Sequence, residues 1–232
     1  MKRIALFAAL ALAGALAASA YRDAEPPAQP VPAPGPHTVF YYQRATLFDA
    51  LPVDSTDIVF LGNSLTNGCE WHELLQDPRV INRGISGDIA QGLIDRLHSV
   101  TKGQPDKIFL MVGVNDISHD VAPDSVARVV ERLCDSIASQ SPRTRLYLQS
   151  MLPINNAFGR YKAIWHKEQD IRDSNRLLHE MAARKGITWI DLYDDFADSD
   201  GNLRADLTDD GLHLLGPAYL IWRDRLLPYL QD

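Results

Sequence analysis

DIVFLGNSLT, residues 57–66, passes from an apolar run through a glycine into polar residues that can open a helix. A short run without polar alternation fits a strand buried on both faces, the habit of parallel sheets. Comparable runs recur at residues 80–81 (VI), 107–112 (KIFLMV), 145–148 (RLYL) and 188–192 (TWIDL). Between them the spacing turns helical. Ile89, Leu93 and Leu97 recur every four residues, and Val126, Val129, Val130, Leu133 and Ile137 form one stripe. Ile171, Asn175, Leu178 and Met181 form another, with Gly186 placed to end it, and a last helix is expected over residues 216–230. This alternation predicts an α/β domain with a central parallel five-stranded sheet and helices on both faces.

In such a sheet, ligands bind at the carboxyl ends of the strands. Ser64 in GNSLT follows the first expected strand, Gly87 in ISGD the second and Asn115 in GVND the third. DGLH, residues 210–213, follows the fifth and sets Asp210 three residues before His213. A serine nucleophile needs a general base, and the base needs a group that fixes its tautomer and stabilises the imidazolium. His213 and Asp210 can fill those places, and Gly87 N–H and the Asn115 amide can donate to a developing oxyanion. Each residue also has a plainer reading: Ser64 as a helix N-cap, Asn115 as a turn former and Gly87 as a loop glycine. Asp206 and Asp209 compete for the place given to Asp210, which its spacing favours, and Asp116 is expected to hold a turn. The other histidines, at 37, 72, 98, 119, 166 and 179, show no metal-ligand spacing, and HExxH and CxxC are absent from the sequence. No catalytic metal and no cofactor are expected.

The remaining sequence bounds the setting. The chain has 232 residues and a formal net charge of -7, with no cluster of Lys and Arg, which argues against nucleic acid as a partner. Lys2 and Arg3 precede an apolar stretch at residues 4–18, and Ala18-Ser19-Ala20 is a small-x-small cleavage pattern. Residues 1–20 are therefore expected to be a signal peptide, with a retained anchor as the alternative, and the mature protein to be secreted or periplasmic without stable membrane insertion. Six prolines in EPPAQPVPAPGP, residues 25–36, suit an extended linker over residues 21–37, with the folded domain at residues 38–232. Cys69 and Cys134 are expected on helices covering opposite faces of the sheet, too far apart to pair.

The four blocks, in order and at these spacings, resemble the SGNH hydrolases, also called GDSL-type esterases and lipases. The resemblance runs over about residues 57–222 and includes QSMLPIN at residues 149–155. It implies a flavodoxin-like three-layer α/β/α sandwich, Ser64 as nucleophile, His213 as base and Asp210 as its orienter. The oxyanion hole it implies consists of the Ser64 and Gly87 N–H groups and the Asn115 side chain. One departure is Asn63 where the family has the Asp of GDSL; an amide still accepts a hydrogen bond but brings no charge. The substrate expected is a small-molecule or polysaccharide ester, with acetyl groups on carbohydrate favoured. Hydrolysis of lipid esters or thioesters, as by a lysophospholipase, is the alternative, and a carbohydrate-binding module without catalysis is a third. Trp71, Phe158, Tyr161 and Trp165 are candidates to line the site.

Overall fold

The computed structural model describes residues 35–231. The expected signal segment at residues 1–20 lies outside them, as does all but the end of the expected linker. Among the described residues, one unit, His37–Asp232, carries every element.

Its centre is five strands: β1 Ile58–Gly62, β2 Val80–Gly84, β3 Lys107–Met111, β4 Arg145–Gln149 and β5 Thr188–Ile190. All pairings are parallel and the order is β2-β1-β3-β4-β5. Alternate side chains of each strand enter two separate cores. Val59, Leu61, Ile108, Leu110 and Leu148 pack on one side with α7 Pro123–Gln140 and α8 Glu168–Lys185. Ile58, Phe60, Phe109, Met111 and Tyr147 pack on the other with α10 Gly216–Leu230. The structure is thus the expected three-layer sandwich.

The shorter helices are α1 Val39–Ala50, α2 Ser64–Asn67, α3 Trp71–Leu75, α4 Ala90–Asp95, α5 His98–Thr101, α6 Val114–Ser118 and α9 Tyr193–Phe196. Three departures from the sequence reading have physical causes. α1 carries little helical periodicity, because only Tyr41 and Phe48 of it are buried, and these pack on Ile85. β2 extends through Asn82 and Arg83, polar residues that a hydrophobic run does not include. Asn82 Nδ2 donates to the carbonyls of Thr66 and Cys69, both at 2.9 Å, so this edge strand anchors the chain that follows Ser64. The period through Ile89, Leu93 and Leu97 is cut between α4 and α5, where Arg96 turns inward.

Cys134 lies on α7, but Cys69 sits in the bend between α2 and α3 and not on a helix. The two thiols are free and belong to cores on opposite faces, and burial pushes each up to about 12. Trp71 is core as well, stacked 4.3 Å from Phe60, so it does not line the site. Among the described residues, no helix is long and apolar enough to cross a membrane.

Close contact between α2 and the end of β2 decides how low Ser64 sits over the sheet. A Cβ on Gly84 would fall 2.4 Å from Asn67 N, so only glycine lets the turn rest there. Gly84→Ala should destabilise by about 1–3 kcal/mol through overpacking and lower activity with it. Gly216→Ala, where a Cβ meets nothing within 4 Å, should be near neutral. Thermal melts of the two variants check this; equal Tm values would contradict it.

Candidate active site

Ser64, Asn115 and His213 come from three distant stretches of chain, and the strand order explains why they meet. Connections leave β1 towards β2 and β3 towards β4, so the chain parts between β1 and β3 and leaves a crevice at their carboxyl ends. Ser64 opens α2 immediately after β1, and Asn115 lies in the first turn of α6 after β3. His213 enters from the loop before α10.

The three groups expected to cooperate in proton transfer form one hydrogen-bonded line. His213 Nε2 lies 2.9 Å from Ser64 Oγ, and His213 Nδ1 lies 2.8 Å from Asp210 Oδ2. The second carboxylate oxygen of Asp210 accepts the main-chain N–H groups of Leu212 at 2.8 Å and His213 at 2.7 Å. Asp210 is therefore bonded to both the ring and the backbone of His213, which fixes where the imidazole points. Burial works to raise the Asp210 carboxyl, but the His213 ring and these two N–H groups outweigh it and hold the carboxyl below its ordinary value. Asp206 instead pairs with Arg204 on the surface, at 2.8 Å.

The opposite wall supplies donors. Asp88 N–H donates to the Ile85 carbonyl at 3.1 Å, closing a turn in which Gly87 takes φ +80°. Ser64 is the first residue of its helix, so its N–H has no acceptor within that helix. Asn115 Nδ2 donates one hydrogen to the Asp88 carbonyl at 2.8 Å, which leaves its second for a ligand. Asn63 caps α2, its Oδ1 accepting Leu65 N–H at 3.0 Å, so the amide keeps the cap that an Asp would make there.

Ser64 and His213 open onto a cleft of about 270 Å³, lined also by Ser86, Gly87, Val114, Ile164 and Leu212. Tyr161 stands on its rim, 43% exposed, with its ring 4.9 Å from the His213 ring. Trp165 and Phe158 are half-buried and stay off this cleft. Among the described residues, no group of three His, Cys, Asp or Glu is gathered to hold a metal ion. The arrangement can take a proton from Ser64, return it across the same short bond, and face a developing anion with N–H donors.

Residues 60–219 match the sequence model of the GDSL-like Lipase/Acylhydrolase family. The chain belongs to that family. In reaction class this GDSL-like acylhydrolase is an ester hydrolase. It is 24% identical over 174 residues to human platelet-activating factor acetylhydrolase IB subunit alpha2, covering 70% of this chain and 71% of the relative. A solved structure from Streptococcus pneumonia, provisionally named as a platelet activating factor, superposes with a TM-score of 0.75 at 28% identity. It covers 82% of this chain and 92% of its own. A GDSL-like lipase from Bacteroides thetaiotaomicron shares the fold, with a TM-score of 0.71 at 21% identity over 82% of this chain and 97% of its own.

Asp116, beside Asn115, escaped a chemical reading in the sequence. Its carboxylate accepts the Ala90 N–H, with the nearer oxygen at 3.1 Å, and so ties α6 to α4. Burial outweighs that bond and pushes the carboxyl up from 3.8 to about 6. A raised folded value means that folding takes up a proton between those two pH values, so this group favours the folded state at the acidic end and opposes it above about 6. Asp116→Asn removes the buried charge but keeps an acceptor. Its gain in Tm over the wild type should be larger at pH 7.5 than at pH 4.5, and a difference independent of pH would contradict the assignment.

Proposed function

We propose that this protein is an exported serine esterase that hydrolyses short-chain carboxylic esters through an acyl-enzyme on Ser64, with acetyl groups on carbohydrate as its substrate class. The observation that carries the reading is the line from Ser64 Oγ through His213 to Asp210, with 2.9 Å and 2.8 Å contacts, at the mouth of a shallow cleft. No partner beyond the ester substrate is part of this reading.

In the first step the Ser64 oxygen forms a bond to the ester carbonyl carbon while His213 Nε2 takes its proton. The carbonyl oxygen becomes an oxyanion facing Ser64 N–H, Gly87 N–H and the free hydrogen of Asn115 Nδ2. Collapse breaks the bond to the alcohol oxygen, which leaves with the proton from His213. Water then repeats the sequence on the acyl-enzyme, with His213 as base and afterwards as acid, and releases the carboxylic acid. Asp210, held as a carboxylate, stabilises the imidazolium in both halves.

The shape of the cleft supports a short acyl group. Val114 and Leu212 line the cleft and also the adjoining gap between Met111, Met151 and Leu152, which has no room for a water molecule. That gap offers a long acyl chain no space. On the alcohol side, the exposed Tyr161 ring offers an apolar face of the kind a sugar ring stacks on. An acetyl ester on a lipid alcohol is the second reading, favoured by the acetylhydrolase named among the relatives. The apolar stretch at residues 4–18 and the small-x-small pattern after it support export.

Rates on p-nitrophenyl esters from acetate to dodecanoate test the acyl preference. The turnover should peak at acetate and fall steeply beyond butanoate, and Ser64→Ala should lower kcat by about 10³-fold or more. A peak at long chains, or wild-type turnover in Ser64→Ala, would contradict the reading.

A further inference from the structure

Behind the oxyanion wall lies an ion pair to which the triad and the expected donors give no role, although Asp88 closes the ISGD block. Arg96 and Asp88 are sealed from solvent, with side chains 2% and 1% exposed, and Arg96 Nε donates to Asp88 Oδ2 at 2.8 Å. The same guanidinium donates through Nη2 to the Gly62 carbonyl at 3.2 Å and the Arg83 carbonyl at 2.9 Å. Gly62 ends β1 two residues before Ser64, and Arg83 lies near the end of β2. Asp88 carries the connection further: its Oδ1 accepts Ile89 N–H at 3.0 Å, and its main-chain carbonyl is the acceptor for Asn115 Nδ2 at 2.8 Å. Phe48 of α1 covers the guanidinium, its ring centre 5.6 Å from Arg96 Cζ.

Sealing two charges from water is expensive, and a well-packed apolar pair is often as stable or more so. The geometry gives this pair a different use. A planar guanidinium presents several N–H donors in a fixed fork, so it can set three acceptors at fixed distances from one another, which a lysine ammonium cannot do. Here the acceptors belong to the strand that leads to Ser64, the strand that leads to Gly87, and the residue after Gly87 that also holds the Asn115 amide.

We propose that Arg96 and Asp88 are positioning residues for the oxyanion site, a buried node that fixes the Ser64 N–H, the Gly87 N–H and the Asn115 amide relative to one another. The proposal rests on the esterase reading above. Displacement of donors by a fraction of an ångström weakens what they give to the transition state more than what they give to bound substrate. The loss should therefore appear in kcat and not in KM.

The test is a kinetic double-mutant cycle on p-nitrophenyl acetate. Asp88→Asn is isosteric but removes the charge, and Arg96→Lys keeps the charge but loses the fork. Each should keep a cooperative melt and lose roughly 10–100-fold in kcat, with KM within about threefold, against a loss of about 10²–10³ for Asn115→Ala. In the Asn115→Ala background the Asp88→Asn loss should shrink to a few-fold, because the two residues act on the same oxygen. The proposal is overturned by folded variants with wild-type kcat, by a loss of equal size in both backgrounds, or by variants that no longer fold, since the pair would then serve the fold alone. Ser64→Ala in the same assay separates the two levels. Wild-type turnover there removes the esterase reading and this proposal with it, whereas an inactive Ser64→Ala beside a fully active Asp88→Asn removes the proposal alone.

Discussion

All five strands run in one direction, so every loop that follows a strand is delivered to the same edge of the sheet, and the rest of the molecule depends on that constraint. Ser64, Gly87 and Asn115 each lie only a few positions past a strand end, whereas His213 reaches the crevice between β1 and β3 from the long connection between β5 and α10. Packing then sets the finer placement. Apolar side chains on both faces hold the sheet between two layers of helices, and Gly84 lets the first turn after β1 settle directly on the neighbouring strand. The sheet below the cleft brings the loops together, and bonds within them, such as those from Asp210 to His213, fix the side chains.

Carboxylates around the cleft show how burial and local bonding compete over protonation. Asp210 is held below its ordinary value because three N–H groups, all from Leu212 and His213, converge on it. At Asp116 burial outweighs the main-chain N–H groups of Ala90 and of Asp116 itself. Asp88 is also pushed upward by burial, although Arg96 pulls against it. In the proposed mechanism the residue that has to stay ionised is the one with the fullest set of donors. In our proposal Asp88 braces the oxyanion wall, and α1 packs against the same region through Tyr41, whose hydroxyl donates to the Gly92 carbonyl at 2.8 Å, and through Phe48.

Much of this was legible in the sequence where a residue's neighbours are its own strand or turn. The strands read as unbroken apolar runs because both faces are buried, and α7, α8 and α10 read true because each buries a single stripe. Asp210 and His213 were readable because three residues of chain bring them into contact. Reading failed where a side chain answers to distant partners. Asn82 and Arg83 look unlike a strand until the carbonyls they meet are in place, and Arg96 passes unmarked inside the period through Ile89, Leu93 and Leu97 until Asp88 and two strand ends surround it. α1 was missed because its two buried aromatics touch residues more than 35 positions away in sequence. Trp71 and Tyr161 read alike as aromatics, but one is core and the other stands on the cleft rim.

The central claim is that Ser64 is a nucleophile activated by His213, and covalent capture tests it most directly. The protein would be treated with an irreversible serine-directed phosphonate ester and its intact mass and peptide masses measured, beside His213→Ala. The account predicts one adduct per chain, located on Ser64, formed at least tens of times more slowly in His213→Ala. An unlabelled wild-type protein, an adduct on a different residue, or equal labelling without His213 would contradict it.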